Sequence, residues 1–171
     1  MQVGGFEAPT ASLLSAAFRP VPRPVAVVAT ATPEGPVGAT VTAFVVSSLD
    51  PPMVAVSLEA RSGTLAAIRE RGEFTLSVLS SHGAVAADVF ASRRPKHSRF
   101  AQVEYVLVGD LPLIREAVCN VACHCDGDYR IGDHHLLVGR VTLLRRGTHA
   151  ALLRSGGRYV QAHDSQKCAH H

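Results

Sequence analysis

A chain of 171 residues that is 47% apolar can build one domain with a sizeable core but not two comfortable ones. Its 17 Lys and Arg stand against 14 Asp and Glu, and the cations form no stripe, which excludes a nucleic-acid footprint at the level of sequence. No apolar run is long enough to span a bilayer, and the first residues lack the basic start and apolar centre of a signal peptide, so a cytoplasmic protein is expected.

In chain order, the Ala- and Leu-rich segment Pro9 to Phe18 reads as a short helix, which Pro20, Pro22 and Pro24 break. Val25 to Ala31 is an apolar, β-branched run. Pro33-Glu34-Gly35-Pro36 turns it, and Val37 to Ser47 is expected as a single return strand. Pro51-Pro52 separates that hairpin from a strand at Met53 to Leu58. Ser62 suits an N-cap, Gly63 to Arg71 a helix, and Gly72 its stop. Phe74 to Leu79 reads as a strand with Phe74, Leu76 and Val78 on one side, and Ala84 to Phe90 as a second short helix. A basic loop, Ser92 to Arg99, precedes a weakly alternating stretch at Val103 to Val108. Val118 to Cys125 and His135 to Leu144 read as long strands joined by a loop at Asp126 to Asp133. Ala150 to Leu153 and Tyr159 to Gln161 complete the count. Seven or eight turn-linked strands with inserted short helices favour an antiparallel barrel over a doubly wound sheet. One domain over 1–162 is expected, with a flexible polar tail at 163–171.

Cys119, Cys123 and Cys125 differ by even numbers, so on a strand they share a face with Val121. With Cys168 they contain no C-x-x-C pair, and core packing is the expected role; no metal site is expected. The Rossmann glycine fingerprint, the P-loop, G-x-S-x-G and H-E-x-x-H are all missing from the sequence, which leaves hydrolase and metalloenzyme readings without a foundation.

Four stretches carry candidate chemistry. Gly38 to Phe44, GATVTAF, places small residues and alternating hydroxyls where a flat ring or a phosphate could approach the backbone; it could equally be a strand with Thr facing water. Ser62-Gly63-Thr64 opens a helix and offers free amides to an anion, or is a simple cap. The loop containing Arg93, Arg94, Lys96 and Arg99 suits a phosphate or a solvated surface. Gly132-Asp133-His134-His135 opens a strand with an acid that could orient an imidazole, or with polar residues at a turn.

In this order and spacing the pieces resemble the flavin reductase-like family, the FMN-binding split-barrel reductases that serve two-component monooxygenases. The resemblance runs from about Phe18 to Tyr159. It includes F-R-x-x-P at Phe18 to Pro22, G-A-T-V-T-A-F, S-L-D-P-P at Ser48 to Pro52, V-S-L at Val56 to Leu58, V-F-A at Val89 to Ala91 and S-R-F at Ser98 to Phe100. G-D-H-x-L-x-V-G-R-V at Gly132 to Val141 and G-R-Y at Gly157 to Tyr159 complete it. The resemblance implies a six-stranded antiparallel Greek-key split barrel and a homodimer. It implies NADH-dependent reduction of FAD or FMN for a partner monooxygenase; the alternative is a flavin-binding electron carrier inert to NADH. It implies that Thr40, Val41, Thr42 and Ala43 face the flavin ring, and that Ser57, Leu58, Ser62 and Thr64 lie by the ribityl and phosphate. By the same resemblance Phe90, Ala91, Ser92, Arg93 and Arg99 approach the phosphates or adenine. His134 is the catalytic candidate at the nicotinamide, and Tyr159 borders the cleft. Arg23-Pro24 and Thr42 depart from the family's usual small residue and Gly, and its usual Ser or Asn.

Overall fold

The computed structural model describes Gly5 and residues 7–161; the expected tail at 163–171, with Cys168, lies outside the described residues. Helix α1 (Ala11–Phe18) is capped by Thr10, whose Oγ1 accepts from the Leu13 N–H at 3.2 Å. A two-residue strand β1 (Arg23–Pro24) leads into β2 (Ala26–Thr32), the hub of the molecule. The run from Val25 is apolar at successive positions because both faces of β2 are covered. Ala26 and Val28 point into one core, Val25, Val27 and Ala29 into another. Adjacent strand side chains project to opposite faces, so only a strand buried on both sides requires such a run.

Gly35, at φ +120°, turns β2 into β3 (Gly35–Val41). The expected single strand Val37 to Ser47 is corrected here. β3 stops at Val41, Thr42 and Ala43 leave the ladder, and β4 (Phe44–Leu49) pairs instead with β5 (Pro52–Glu59). The hydrogen-bonded order is β3-β2-β6-β9-β10-β5-β4, with every pair antiparallel, where β6 is Glu73–Leu79, β9 Ala117–Ile131 and β10 His134–Arg146. β3 and β4 thus occupy the two ends of the sheet while remaining consecutive in the chain. The sheet curls until one bent strand serves both edges, and the Ser57 N–H donates to the Ala43 carbonyl at 2.9 Å, extending the β4–β5 pairing up to the break. Counted that way, the seven hydrogen-bonded strands are the six staves of the expected Greek-key barrel.

The barrel core holds Val41, Val56, Phe74, Leu76, Val121, Cys123 and Leu137, with Leu65 and Ile68 of α2 (Gly63–Arg71) packed in the same cluster. α2 begins and ends as its sequence predicts, with Ser62 as cap and Gly72 at φ +76°. Cys119, Cys123 and Cys125 also fall as predicted: Cys119 and Cys125 flank this cluster, and burial pushes the Cys123 thiol up to about 12, so it stays protonated.

The second core lies outside β2, under α3 (Ala84–Ala91), and contains Ala87, Phe90, Phe100 and Ile114. The expected loop Ser92 to Arg99 ends in one helical turn, α4 (Lys96–Arg99), followed by a 3-10 turn at Phe100–Gln102. The hairpin of β7 (Tyr105–Val108) with β8 (Leu111–Ile114) adds a strand that the alternation did not reveal. β9 and β10 run well past the expected loop at Asp126 to Asp133 and leave only Gly132-Asp133 as the turn. Their polar ends stay in the ladder because the charges pair sideways, Arg140 with Asp126 at 2.9 Å and Arg69 with Asp128 at 2.7 Å. Finally β11 (Leu152–Ser155) and β12 (Arg158–Gln161) form a small sheet with β1.

A candidate ligand cleft

A cleft of about 660 Å³ opens where three seams meet: the β3–β4 break, the β5–α2 junction and the end of α3. Of the residues singled out in the sequence, Thr40, Val41, Thr42 and Ala43 line it from the break, Ser57 and Leu58 from β5, and Ser62 and Thr64 from the start of α2. Phe90, Ala91 and Ser92 come from the end of α3, Arg99 from α4 and His134 from the first position of β10. Elements far apart in the chain therefore converge on one hollow.

Two expected residues do not reach it. Arg93 is exposed and outside the lining. Tyr159 packs against the outer core, donates its hydroxyl proton to Asp88 of α3 at 2.7 Å and lies under Arg154. Burial, and secondarily Asp88, push its phenol up to about 12. Ala39 and Gly63, from two of the stretches named in the sequence, line it too, and so do Glu59 and Arg61, which were not singled out. Glu59 and Arg61 are exposed side chains paired with each other at 3.1 Å, and in sequence such a pair looks like any solvated surface.

The amides of Gly63 and Thr64 occupy the first turn of α2, where no intrahelical acceptor exists and the helix dipole favours an anion. Arg99 also lines the cleft, 9% exposed, and burial pulls its pKa down from the usual arginine value. Asp133 accepts from His134 Nδ1 at 2.8 Å, and chiefly this hydrogen bond holds the Asp133 carboxyl below its ordinary range. The Ala60 N–H donates to the Asp133 carbonyl at 2.9 Å, and His134 registers opposite Glu59, so β5 fixes the strand start that carries the imidazole. His135 faces elsewhere. Its Nδ1 lies 2.6 Å from Asp128, which also holds Arg69, and this half-buried trio secures the strand end.

Small residues form the floor for a reason visible in the packing. A Cβ on Gly38 would lie 3.1 Å from Phe90 Cε1 and 3.1 Å from the Val28 carbonyl, so glycine lets α3 settle onto β3. Thr40 Oγ1 donates to the Ala87 carbonyl at 2.7 Å. Its proton thus belongs to the scaffold, and only its lone pairs remain for a ligand. The lining thus brings free helix amides, hydroxyls and an imidazole onto one hollow large enough for a small ligand.

Residues 18–163 match the model of the flavin reductase like domain family. Over 124 residues the chain is 34% identical to the reductase component of a 4-nitrophenol 4-monooxygenase/4-nitrocatechol 2-monooxygenase from Rhodococcus opacus, covering 72% of this chain and 66% of that one. It is 33% identical over 108 residues to a probable flavin reductase of Rhizobium meliloti, covering 63% of this chain but only 34% of that protein's length. Among solved structures, an NADH:FAD oxidoreductase of Streptomyces globisporus in complex with NAD and FAD fragments superposes with a TM-score of 0.86 at 29% identity, over 94% of this chain and 98% of that one.

Proposed function

The chain belongs to the flavin reductase-like family, and from that premise we propose that it transfers hydride from NADH to a flavin, FAD in preference to FMN, and releases the reduced flavin to a partner monooxygenase. The observation that carries this is the convergence of the Thr40–Ala43 break, the Ser62–Thr64 helix start and His134 on one cleft. Related proteins support the particulars: the Streptomyces enzyme is described with NAD and FAD fragments, and the Rhodococcus relative as a reductase component.

The hydride chemistry belongs to the two bound ring systems. The chain's task is to hold them face to face at roughly 3–3.5 Å, the separation of a near-attack pair. Thr40 to Ala43 contribute backbone and small side chains against the flat ring. Gly63 and Thr64 amides receive the phosphate. His134, with its Nδ1–H held by Asp133, keeps Nε2 as an acceptor for the amide end of the nicotinamide. The cleft is open to solvent along one side, which suits a flavin that departs after reduction.

The same reading extends to assembly and location. We infer a homodimer acting in the cytoplasm. α1 buries none of its residues, Leu14 and Phe18 are 60% and 56% exposed, and Val45, Val46 and Leu49 stand exposed on β4. Among the described residues no helix is long and apolar enough to cross a membrane.

The decisive experiment is anaerobic: protein, FAD and NADH are mixed and the flavin absorbance is followed. Bleaching well above the uncatalysed rate is expected. A yellow protein inert to NADH would instead establish the electron-carrier alternative.

A further inference from the structure

The outer face of β6, β9 and β10 is covered along only part of its width. Register places Thr75, Ala122 and Leu143 in one row across the three strands, and Ser77, Asn120 and Arg145 in the next. The β7–β8 hairpin, a sheet of its own, is held over the β6 end of both rows. Thr75 Oγ1 donates to the Pro112 carbonyl at 2.6 Å, the Ile114 N–H donates to Ser77 Oγ at 3.0 Å, and Asn120 Nδ2 donates to the Ile114 carbonyl at 3.3 Å. The β10 end is left bare, with Leu143 53% exposed. Between hairpin and bare end lies a groove of about 270 Å³, walled mainly by Val106, Leu113, Ala122 and Leu143, with Asn120 and Arg145 also lining it. It shares no lining residue with the ligand cleft. Asn120 is 1% exposed, and among the described residues its Oδ1 is the one buried side-chain polar atom without a hydrogen-bond partner. The Ile114 carbonyl fixes which way the amide points, because only the NH₂ half can donate to it. A buried acceptor left without a donor is costly and rare in native folds. Water suits this place poorly, since a buried water takes about three polar partners and the walls are largely apolar. Arg145 turns to the Arg115 carbonyl at 3.5 Å.

We propose that this groove is a second ligand site, which takes a small apolar molecule carrying one hydroxyl donor, in its simplest form a phenol. The hydroxyl donates to Asn120 Oδ1, and the ring lies between the β7–β8 hairpin and Leu143. The volume sits at the lower end of ligand-sized hollows and suits a single ring. Apolar walls with one convergent polar atom are the usual composition of such sites: the walls supply affinity and the acceptor selects a donor. The site is independent of the flavin reading, because it is built on other strands and from other side chains.

The test compares phenol with anisole, which has the same ring but a methyl group in place of the hydroxyl proton. Each is titrated into the full chain while the backbone amide signals are followed by NMR. Phenol is expected to saturate in the millimolar range and to move the amides of Asn120, Ala122 and Leu143, with anisole about tenfold weaker, the worth of one hydrogen bond to a buried acceptor. In N120L, which keeps the bulk and removes the acceptor, the two affinities should come within about twofold of each other. L143S, at an exposed position, should weaken both about threefold by removing a wall. Equal affinity for phenol and anisole in the wild type overturns the proposal, as does a tenfold preference that survives in N120L. So does a titration that never saturates, or one that moves the amides of Thr40, Ser57 and His134 instead, which would place phenol in the cleft. If N120L does not fold, the wild-type preference together with L143S decides: a preference for phenol with weakened binding in L143S supports the site, and unchanged binding in L143S overturns it.

Discussion

The bond between His134 and Asp133 determines what the imidazole can offer. The Asp133 carboxylate accepts a hydrogen bond from His134 Nδ1 and so leaves Nε2 as the ring nitrogen that faces a ligand. His134→Ala removes one hydrogen bond to the nicotinamide and is expected to raise the NADH KM about tenfold, with the flavin Kd changed little. Asp133→Asn frees the tautomer and should raise the same KM by a smaller factor. Steady-state kinetics with NADH varied at fixed flavin check both, and a flavin-only effect would contradict the assignment. At this scale the sequence marked residue types better than their use. It identified Arg93, Arg99 and Tyr159 as cations and a ring of the right chemistry. It could not show that Arg99's acceptors come from as far away as Gly38, or that Tyr159 turns to Asp88. Those partners are brought near only by the folded sheet, and no local pattern encodes them.

Elements with strong local signals were legible: the Ser62 cap and Gly72 stop of α2, the apolar run of β2 and the alternation of β6. The break between β3 and β4 was not, since Thr42-Ala43 contains neither Gly nor Pro and the bend comes from curvature of the whole sheet. That curvature depends on missing side chains in places. Gly139 of β10 sits where the register with β9 shifts, and a Cβ there would fall 2.4 Å from Phe74 Cζ and 2.8 Å from Cys123 Cβ. Gly139→Ala is therefore expected to destabilise the chain by about 1–3 kcal/mol through overpacking, read as a lower denaturant midpoint. The β11–β12 hairpin is tied to α3 by the Tyr159–Asp88 bond, and here pH matters. Folding raises the Tyr159 pKa from 10.0 to about 12, so the folded state favours the protonated phenol. Its contribution is complete below pH 10 and fades as pH climbs toward about 12. Thermal unfolding across that window should show wild type losing an advantage over Tyr159→Phe, and Tyr159→Phe should cost about 1 kcal/mol below it. A constant gap between the two proteins from neutral pH to pH 12 would contradict this.

For the molecule as a whole, exposed apolar residues on α1 and β4 set the expectation. An isolated helix of eight residues is marginal in water, and none of α1's residues is buried within its own chain. Sedimentation should therefore return twice the chain mass at micromolar concentration, and a monomer would remove the dimer from the proposed function. One further property follows from how the barrel is fastened. Five of its staves are laced to neighbours on both sides, but the sixth is interrupted at Thr42-Ala43, so the girdle has a buckle. A closed ring of paired strands can change its girth only by tearing several bonds together; a buckled one can loosen by a notch at its interruption, which lines the cleft. A protein that must let its guest go after each turn gains from such a fastening. Hydrogen exchange would register it, with the Thr42 and Ala43 amides the fastest of the barrel when empty and slowed when flavin is present.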